Sequence, residues 1–185
     1  MRCKLSEFID NIFDHMELQR HLMKVCGVYE LSKNEQLEVT FLNIAGESIE
    51  AMGFVLDKTK PWKNSELNFD KIKEEVIDVY HFYLQFLVVT DLYEKFSGFV
   101  FGEVLEQTDK LECMKSDLKN SGEEALKFSR WYLPGELEQF AYRQWDRLLA
   151  IFFSLEMTPE DVDALYRAKN ARNFERIKEL IDGLK

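Results

Sequence analysis

The sequence contains little of what interrupts helices or cross-links a small fold. It has three prolines and eight glycines in 185 residues, and the long stretches without either favour helices over strands joined by tight turns. Cys3, Cys26 and Cys113 are odd in number and widely spaced, which argues against a disulfide framework and a zinc motif. The sequence also lacks a continuous apolar stretch typical of a signal peptide, and it has no apolar run of about 18 residues. We expect a soluble, cytoplasmic, all-α protein.

Acidic residues outnumber basic residues by 34 to 24, which gives a formal net charge of −10 at pH 7. This balance argues against a nucleic-acid-binding protein, because phosphate backbones are held mainly by accumulated lysine and arginine. The composition is 46% hydrophobic and 14% aromatic, enough for one substantial core at this length. We expect a single domain over residues 1–185 and no contact with membrane.

Apolar residues recur at helical intervals along most of the chain. A first helix is predicted from Lys4 to Lys24, with Gly27 as its stop. The last helix is predicted to begin at Thr158-Pro159-Glu160-Asp161, where Thr158 can cap and Pro159 takes the first helical position. The remaining predictions are helices opening at Asn34, at Asp70 and after Pro134-Gly135, and a loop from Asp57 to Asn68.

The segment around residues 108–133 has the weakest periodicity in the chain. It is rich in charge and contains Asn120-Ser121-Gly122, which is typical of a turn. We expect a helical excursion or a mobile insert here.

Two acidic pairs, Glu47 with Glu50 and Glu75 with Asp78, lie on the second and third predicted helices. Residues three apart share a helical face, so four carboxylates can converge if the helices lie side by side. Hard oxygen donors in that number suit Mg²⁺ or Mn²⁺, whereas zinc prefers nitrogen or sulfur donors. The pairs therefore predict a carboxylate site for a hard divalent cation.

We expect the polar residues of the third helix to have a chemical role, because the centre of this helix is apolar almost all the way round. Burying Glu75, Asp78 and His81 there is costly unless a metal or hydrogen bonds compensate. The final helix adds the densest basic cluster in this acidic chain: Arg167, Lys169, Arg172, Arg176 and Lys178. A carboxylate-bound cation and a basic helix suit the same polyphosphate, which indicates metal-dependent hydrolysis of a nucleoside triphosphate.

Four segments then carry a resemblance to a known family. They are Glu47-Ser48-Ile49-Glu50, Pro61-Trp62-Lys63-Asn64, Glu75-Val76-Ile77-Asp78-Val79-Tyr80-His81-Phe82, and Tyr166 to Arg176 with its Lys169-Asn170 and Asn173. In this order they resemble the motifs of the dimeric all-α dUTPases, which belong to the all-α NTP pyrophosphatase superfamily with MazG-type enzymes and phage dCTPase/dUTPases. The likeness covers roughly residues 37–176. It implies a helical bundle of that superfamily type and a homodimer.

The resemblance also implies an activity and the residues that perform it. The reaction is Mg²⁺-dependent hydrolysis of dUTP to dUMP and diphosphate, with Mn²⁺ as a substitute ion. Glu47, Glu50, Glu75 and Asp78 are implied to bind the metal, and Glu50 to activate the water that attacks the α-phosphorus. Substrate contacts are implied for Gln19 and His81 at the base, Phe82 as a stacking face, Trp62 and Lys63 near the closing segment, and Lys169, Asn173 and Arg176 at sugar and phosphates.

Two departures from the family pattern leave the preferred base open. Met23 stands where these dUTPases usually place an asparagine, and the Arg-Gln and Gly-Tyr-Lys motif expected after Arg176 is absent. A site that reads a base by buried hydrogen bonds discriminates less when one partner is lost. A dCTP pyrophosphatase or a broader dNTP pyrophosphatase is the closest alternative.

Two further alternatives belong to other classes. A di-iron carboxylate bundle needs two Glu-x-x-His units, and Asp78 with His81 supplies only one approximate unit. The other is a catalytically inactive helical module that binds a protein partner. Against it, an acidic quartet without a metal destabilises a bundle.

Overall fold

The computed structural model describes residues 2–56, 67–92 and 109–183, and in these ranges it contains α-helices and no β-strand. This confirms the predicted all-α class. A short 3₁₀ turn, Val28–Glu30, joins the first two helices. The six helices are α1 (Arg2–Val25), α2 (Lys33–Leu56), α3 (Phe69–Thr90), α4 (Lys110–Arg130), α5 (Glu136–Ser154) and α6 (Pro159–Gly183).

Local sequence signals fix several helix ends. Gly27 adopts a φ of 71°, the left-handed conformation that glycine tolerates, and so follows α1 as predicted. At the start of α6 the Thr158 backbone N–H donates to Asp161 at 2.8 Å, and the Asp161 N–H donates to the Thr158 hydroxyl at 3.2 Å. This reciprocal capping box confirms the predicted start of the last helix. Ser32 and Glu35 cap α2 in the same way.

Helix α3 lies at the centre of the bundle, in contact with α1, α2, α5 and α6. It begins at Phe69, one residue before the predicted Asp70, because the Asn68 side chain accepts a hydrogen bond from the Lys71 N–H at 3.1 Å. From Val76 to Val89 almost every residue is buried. A helix apolar on all sides is enclosed by its neighbours, so the polar side chains of this stretch, Asp78, His81 and Gln85, are buried as well.

Four phenylalanines from four helices form the centre of the core. The ring centroid of Phe140 on α5 lies 5.1 Å from that of Phe41 on α2, 5.0 Å from that of Phe86 on α3 and 4.8 Å from that of Phe128 on α4. Such aromatic contacts add to the free energy gained from burial. The cluster joins α4 to the rest of the core.

The turn predicted at Asn120-Ser121-Gly122 is wrong. Helix α4 runs through it without interruption, and Ser121 and Gly122 are buried against α2. The physical reason is close packing, since a Cβ added at Gly122 would lie 3.3 Å from the Cβ of Ser48. The segment is helical as expected, but α4 is a core helix rather than an excursion.

By length and composition, α2 could also cross a membrane, and it is the one helix of the described chain that could. Nine of its residues are buried, and it packs between α3 and α4. These contacts are those of a core helix in a bundle.

Candidate functional site

Three of the four predicted metal ligands lie together between α2 and α3. One carboxylate oxygen each from Glu47, Glu75 and Asp78 lie within 4.8 Å of one another. Asp78 is buried, and the two glutamates are half-buried. The arrangement follows from the packing of α2 on α3 and from the shared face of Glu75 and Asp78. We call these three residues the carboxylate cluster.

Glu50, the fourth predicted ligand, is exposed and lies outside the carboxylate cluster. Its charge still acts on that cluster, because it contributes to raising the pKa of Glu47 and of Glu75. Glu50 is therefore a neighbour of the cluster at the solvent side.

Burial and mutual repulsion disfavour the ionised cluster. Loss of solvent is the largest cause that raises the pKa of Glu47 to about 7, followed by the charges of Asp78, Glu50 and Glu75. Loss of solvent also raises the pKa of Glu75 and of Asp78. Closely spaced carboxylates with hard oxygen donors fit a divalent cation such as Mg²⁺.

Lys169 on α6 reaches the cluster directly. Its Nζ donates to Asp78 Oδ2 at 2.6 Å. The charges of Arg172 and Arg176 on the same helix also act to lower the pKa of Asp78, although burial outweighs them. The basic side of α6 therefore faces the acidic side of α3.

Beside the cluster lies a cavity of about 340 Å³ between α1, α2, α3 and α6. It brings together five predicted substrate contacts: Gln19, His81, Phe82, Asn173 and Arg176. Met23, the departure from the family pattern, also lines it and is buried. We call this the small cavity.

Two polar residues of the small cavity were missed by sequence reasoning. Asn43 and Gln85 also line it. Gln85 is buried, and its Nε2 donates to the Thr40 hydroxyl at 2.8 Å. The available signal was a glutamine one helical turn after His81 in an otherwise apolar stretch.

Gln19 and His81 are in contact inside the bundle. Gln19 Nε2 lies 3.3 Å from His81 Nε2, and Gln19 Oε1 accepts from the Tyr166 hydroxyl at 3.1 Å. Burial, with the charge of Lys169, lowers the pKa of His81 to about 4. His81 is therefore a neutral imidazole at pH 7.

Small polar groups hold the segment that carries Glu47. The Ser48 hydroxyl lies 3.2 Å from the Ser121 hydroxyl on α4, which donates to Gln144 Oε1 on α5 at 2.6 Å. All three are buried. Satisfied buried polar contacts specify one packing, and these set the orientation of α2.

Trp62 and Lys63 lie outside the described residues. A larger cavity of about 610 Å³, between α3, α4 and the end of α5, contains no predicted site residue. The carboxylate cluster and the small cavity therefore form the candidate functional site.

Comparison with known proteins agrees with this geometry. A family model described as dUTPase matches residues 11–180, which is most of the chain. Searches of curated proteins and of solved structures gave no match. The matched range includes the carboxylate cluster and every residue of the small cavity. The motifs, the all-helical bundle and the family model agree, and the chain belongs to the family of dimeric all-α dUTPases.

Proposed function

We propose that this protein hydrolyses dUTP to dUMP and diphosphate with Mg²⁺, for which Mn²⁺ can substitute. The observation that supports the proposal is the adjacency of the carboxylate cluster and the small cavity, which share α2 and α3. Asp78 belongs to the cluster, and His81, three residues later, lines the small cavity. A volume of about 340 Å³ is in the range of small-ligand sites.

The donor set fits Mg²⁺, which Glu47, Glu75 and Asp78 would hold with Glu50 beside them. When bound, the ion supplies charge neutralisation at phosphate oxygens and lowers the pKa of water. Glu50 is the proposed base: its exposed carboxylate takes the proton of the water that attacks the α-phosphorus. A new phosphorus–oxygen bond forms, and the bond to the diphosphate leaving group breaks.

The basic and polar side chains hold the rest of the substrate. Lys169 and Arg176 are proposed to contact phosphate oxygens, and Asn173 the sugar. Gln19 and His81 read the edge of the base, and Phe82 offers a stacking face. Trp62 and Lys63 are proposed to complete the site from the segment that follows α2.

Diphosphate release from dUTP, dCTP, dTTP, dATP, dGTP and UTP, each with Mg²⁺ and with EDTA, tests the proposal. We expect Mg²⁺-dependent release, fastest from dUTP. Turnover of dCTP or of several dNTPs at similar rates would instead support the broader pyrophosphatase, which apolar Met23 in the small cavity favours. No release from any nucleotide would support the inactive interaction module.

Glu50→Gln tests the proposed base. The variant keeps the size of the side chain and removes the acceptor for the water proton, so kcat should fall by about a hundredfold or more. Circular dichroism and the melting temperature should not change, because Glu50 is exposed. Glu38→Gln, another exposed glutamate on α2, is the matched control and should keep full activity. Unchanged kcat in Glu50→Gln contradicts the role.

We also propose that the protein is a homodimer through α2. Its outer face carries residues spaced three and four apart: Val39, Leu42, Gly46, Ile49, Gly53 and Leu56. We call this the α2 stripe. Its large members are between 36% and 57% exposed. An apolar line with this spacing is suited to packing against a second helix, and its glycines have open space where a Cβ would be.

Light scattering of Leu42→Glu tests the dimer. A charge on the α2 stripe should convert a dimer of about 44 kDa, from the 22.0 kDa chain, to monomer at micromolar concentration, since an unpaired buried charge is costly. Leu180→Glu is the control, because Leu180 is 68% exposed on α6 and is not part of the stripe. A variant that stays dimeric, or a wild-type monomer, contradicts this interface.

A further inference from the structure

Three buried side chains connect α6 to the small cavity. The Tyr166 hydroxyl donates to Gln19 Oε1 at 3.1 Å, and Gln19 Nε2 lies 3.3 Å from His81 Nε2. Tyr166 is 0% exposed, Gln19 1% and His81 5%. Because water does not reach these groups, their orientations are set by one another.

The Tyr166 hydroxyl has one proton and two oxygens of α1 within reach, and the Asn170 side chain of its own helix also interacts with it. The hydroxyl lies 3.0 Å from the His15 carbonyl as well as near Gln19 Oε1. His15 is inside α1, where a backbone carbonyl already accepts from the N–H four residues later. The amide oxygen of Gln19 is therefore the acceptor that needs this proton. Its amide nitrogen then faces His81.

The orientation of Gln19 decides where His81 carries its proton. An amide nitrogen can only donate, so His81 Nε2 must accept. His81 is neutral at pH 7 and has one ring proton, which must then be on Nδ1. His81 Nδ1 is buried and has no hydrogen-bond partner among the described residues. It is a donor on a residue that lines the small cavity.

We propose that Tyr166 is a positioning residue for base recognition: its hydroxyl orients the Gln19 amide and thereby holds His81 in the Nδ1–H tautomer. The consequence for substrate choice rests on the proposed function. A fixed ring donor favours a pyrimidine that presents an oxygen over one that presents an amino group, because two opposed donors cannot bond.

His15 provides a reference in the same molecule. Its Nε2 contacts Asp163 Oδ1 at 2.8 Å, and its Nδ1 is 3.0 Å from the Tyr80 hydroxyl. A carboxylate only accepts, so His15 carries its proton on Nε2. Burial lowers the pKa of His15 as well. The structure assigns opposite tautomers to His15 and His81.

Long-range ¹H–¹⁵N NMR of ¹⁵N-histidine-labelled protein at pH 7.5 tests the assignment without nucleotide. We expect an Nδ1–H pattern for His81 and an Nε2–H pattern for His15, with His21→Gln to assign the third histidine. In Tyr166→Phe, His81 should shift toward Nε2–H, because the Gln19 amide is free to turn over. Tyr80→Phe is the matched control: it removes another buried hydroxyl that contacts His15 and should leave His81 unchanged.

Kinetics give the second readout. Tyr166→Phe should retain kcat for dUTP and raise its KM, and the ratio of kcat/KM for dUTP over dCTP should fall by roughly five- to tenfold. Tyr80→Phe should keep the wild-type ratio. If Tyr166→Phe does not fold by circular dichroism, Gln19→Leu, which breaks the same chain, should shift His81 in its place.

The positioning role of Tyr166 and the proposed hydrolysis of dUTP can be disproved independently of each other. An Nε2–H pattern for His81 in the wild-type protein, or an Nδ1–H pattern unchanged in a folded Tyr166→Phe or Gln19→Leu, overturns the positioning role whether or not the protein is active. The expected spectra with no diphosphate release from any nucleotide would leave the side-chain network in place and remove the proposed reaction.

Discussion

At the scale of the residue, Glu47 shows why the ionised site would be stabilised by a bound cation. Burial and three neighbouring carboxylates raise its pKa to about 7, and Lys169 offsets this only in part. Asp78 already accepts from Lys169 at 2.6 Å, so that lysine cannot neutralise the whole carboxylate cluster. A divalent cation would remove the repulsion that remains.

The affinity for Mg²⁺ should therefore depend on pH. A ligand with a pKa of about 7 must lose its proton to bind metal, so the Kd for Mg²⁺ should fall about tenfold from pH 6 to pH 8. Isothermal titration calorimetry without nucleotide measures it. Glu47→Gln should bind more weakly and lose this dependence. A wild-type Kd that is constant over this range would contradict the coupling between loss of the Glu47 proton and binding of Mg²⁺.

The spacing of two residues along a helix predicts that they share a face. It does not predict how that face is oriented toward the neighbouring helices. Glu75 and Asp78 are close as the sequence predicted, and packing of α2 on α3 adds Glu47. The same spacing leaves Glu50 exposed, because two residues three apart still differ by about 60° around the helix axis. Contacts such as Lys169 with Asp78, 91 residues apart, require the tertiary fold.

At the scale of the element, small residues determine how α4 approaches α2. Asn120-Ser121-Gly122 is typical of a turn when read alone, yet Gly122 and Ser121 let two helices meet closely. A Cβ added at Gly122 would lie 3.5 Å from the Ala45 carbonyl oxygen, and the Ser121 hydroxyl lies 3.2 Å from that of Ser48. Tertiary packing here outweighs local propensity. No sequence period identifies such a contact in advance.

Gly122→Val should therefore destabilise the protein by about 2 kcal/mol, since a branched side chain at a close helix contact forces α4 away from α2. Urea unfolding measures the change. Asn120→Val is the control: it places the same side chain at an exposed position of α4, where only the small helix-propensity cost applies. Equal losses of stability in both variants would show that the close contact does not constrain α4.

At the scale of the whole molecule, α3 joins the core, the carboxylate cluster and the small cavity. Its Phe86 lies in the aromatic core, its Asp78 in the cluster and its His81 at the cavity. Its all-round burial was predictable from composition, and the burial is what perturbs its ionisable groups. The same helix thus links the stability of the bundle to the protonation of the site.

Acid should therefore destabilise the protein partly through His81. Burial lowers its pKa from 6.5 to about 4, so between these values the unfolded chain binds more protons than the folded chain. Stability from this group is present above pH 6.5 and is lost as pH falls through about 4. We expect the free energy of unfolding of the wild type, relative to His81→Gln, to fall by about 2.5 kcal/mol from pH 7.5 to pH 4.5.

Urea titrations of metal-free protein at both pH values measure this difference, and subtraction of His81→Gln cancels contributions from Glu47 and the other carboxylates. A flat difference for His81 would mean that acid reaches its ring without opening the fold. Burial would then not lower the pKa of His81, and the neutral imidazole that the positioning role of Tyr166 requires would lose that support.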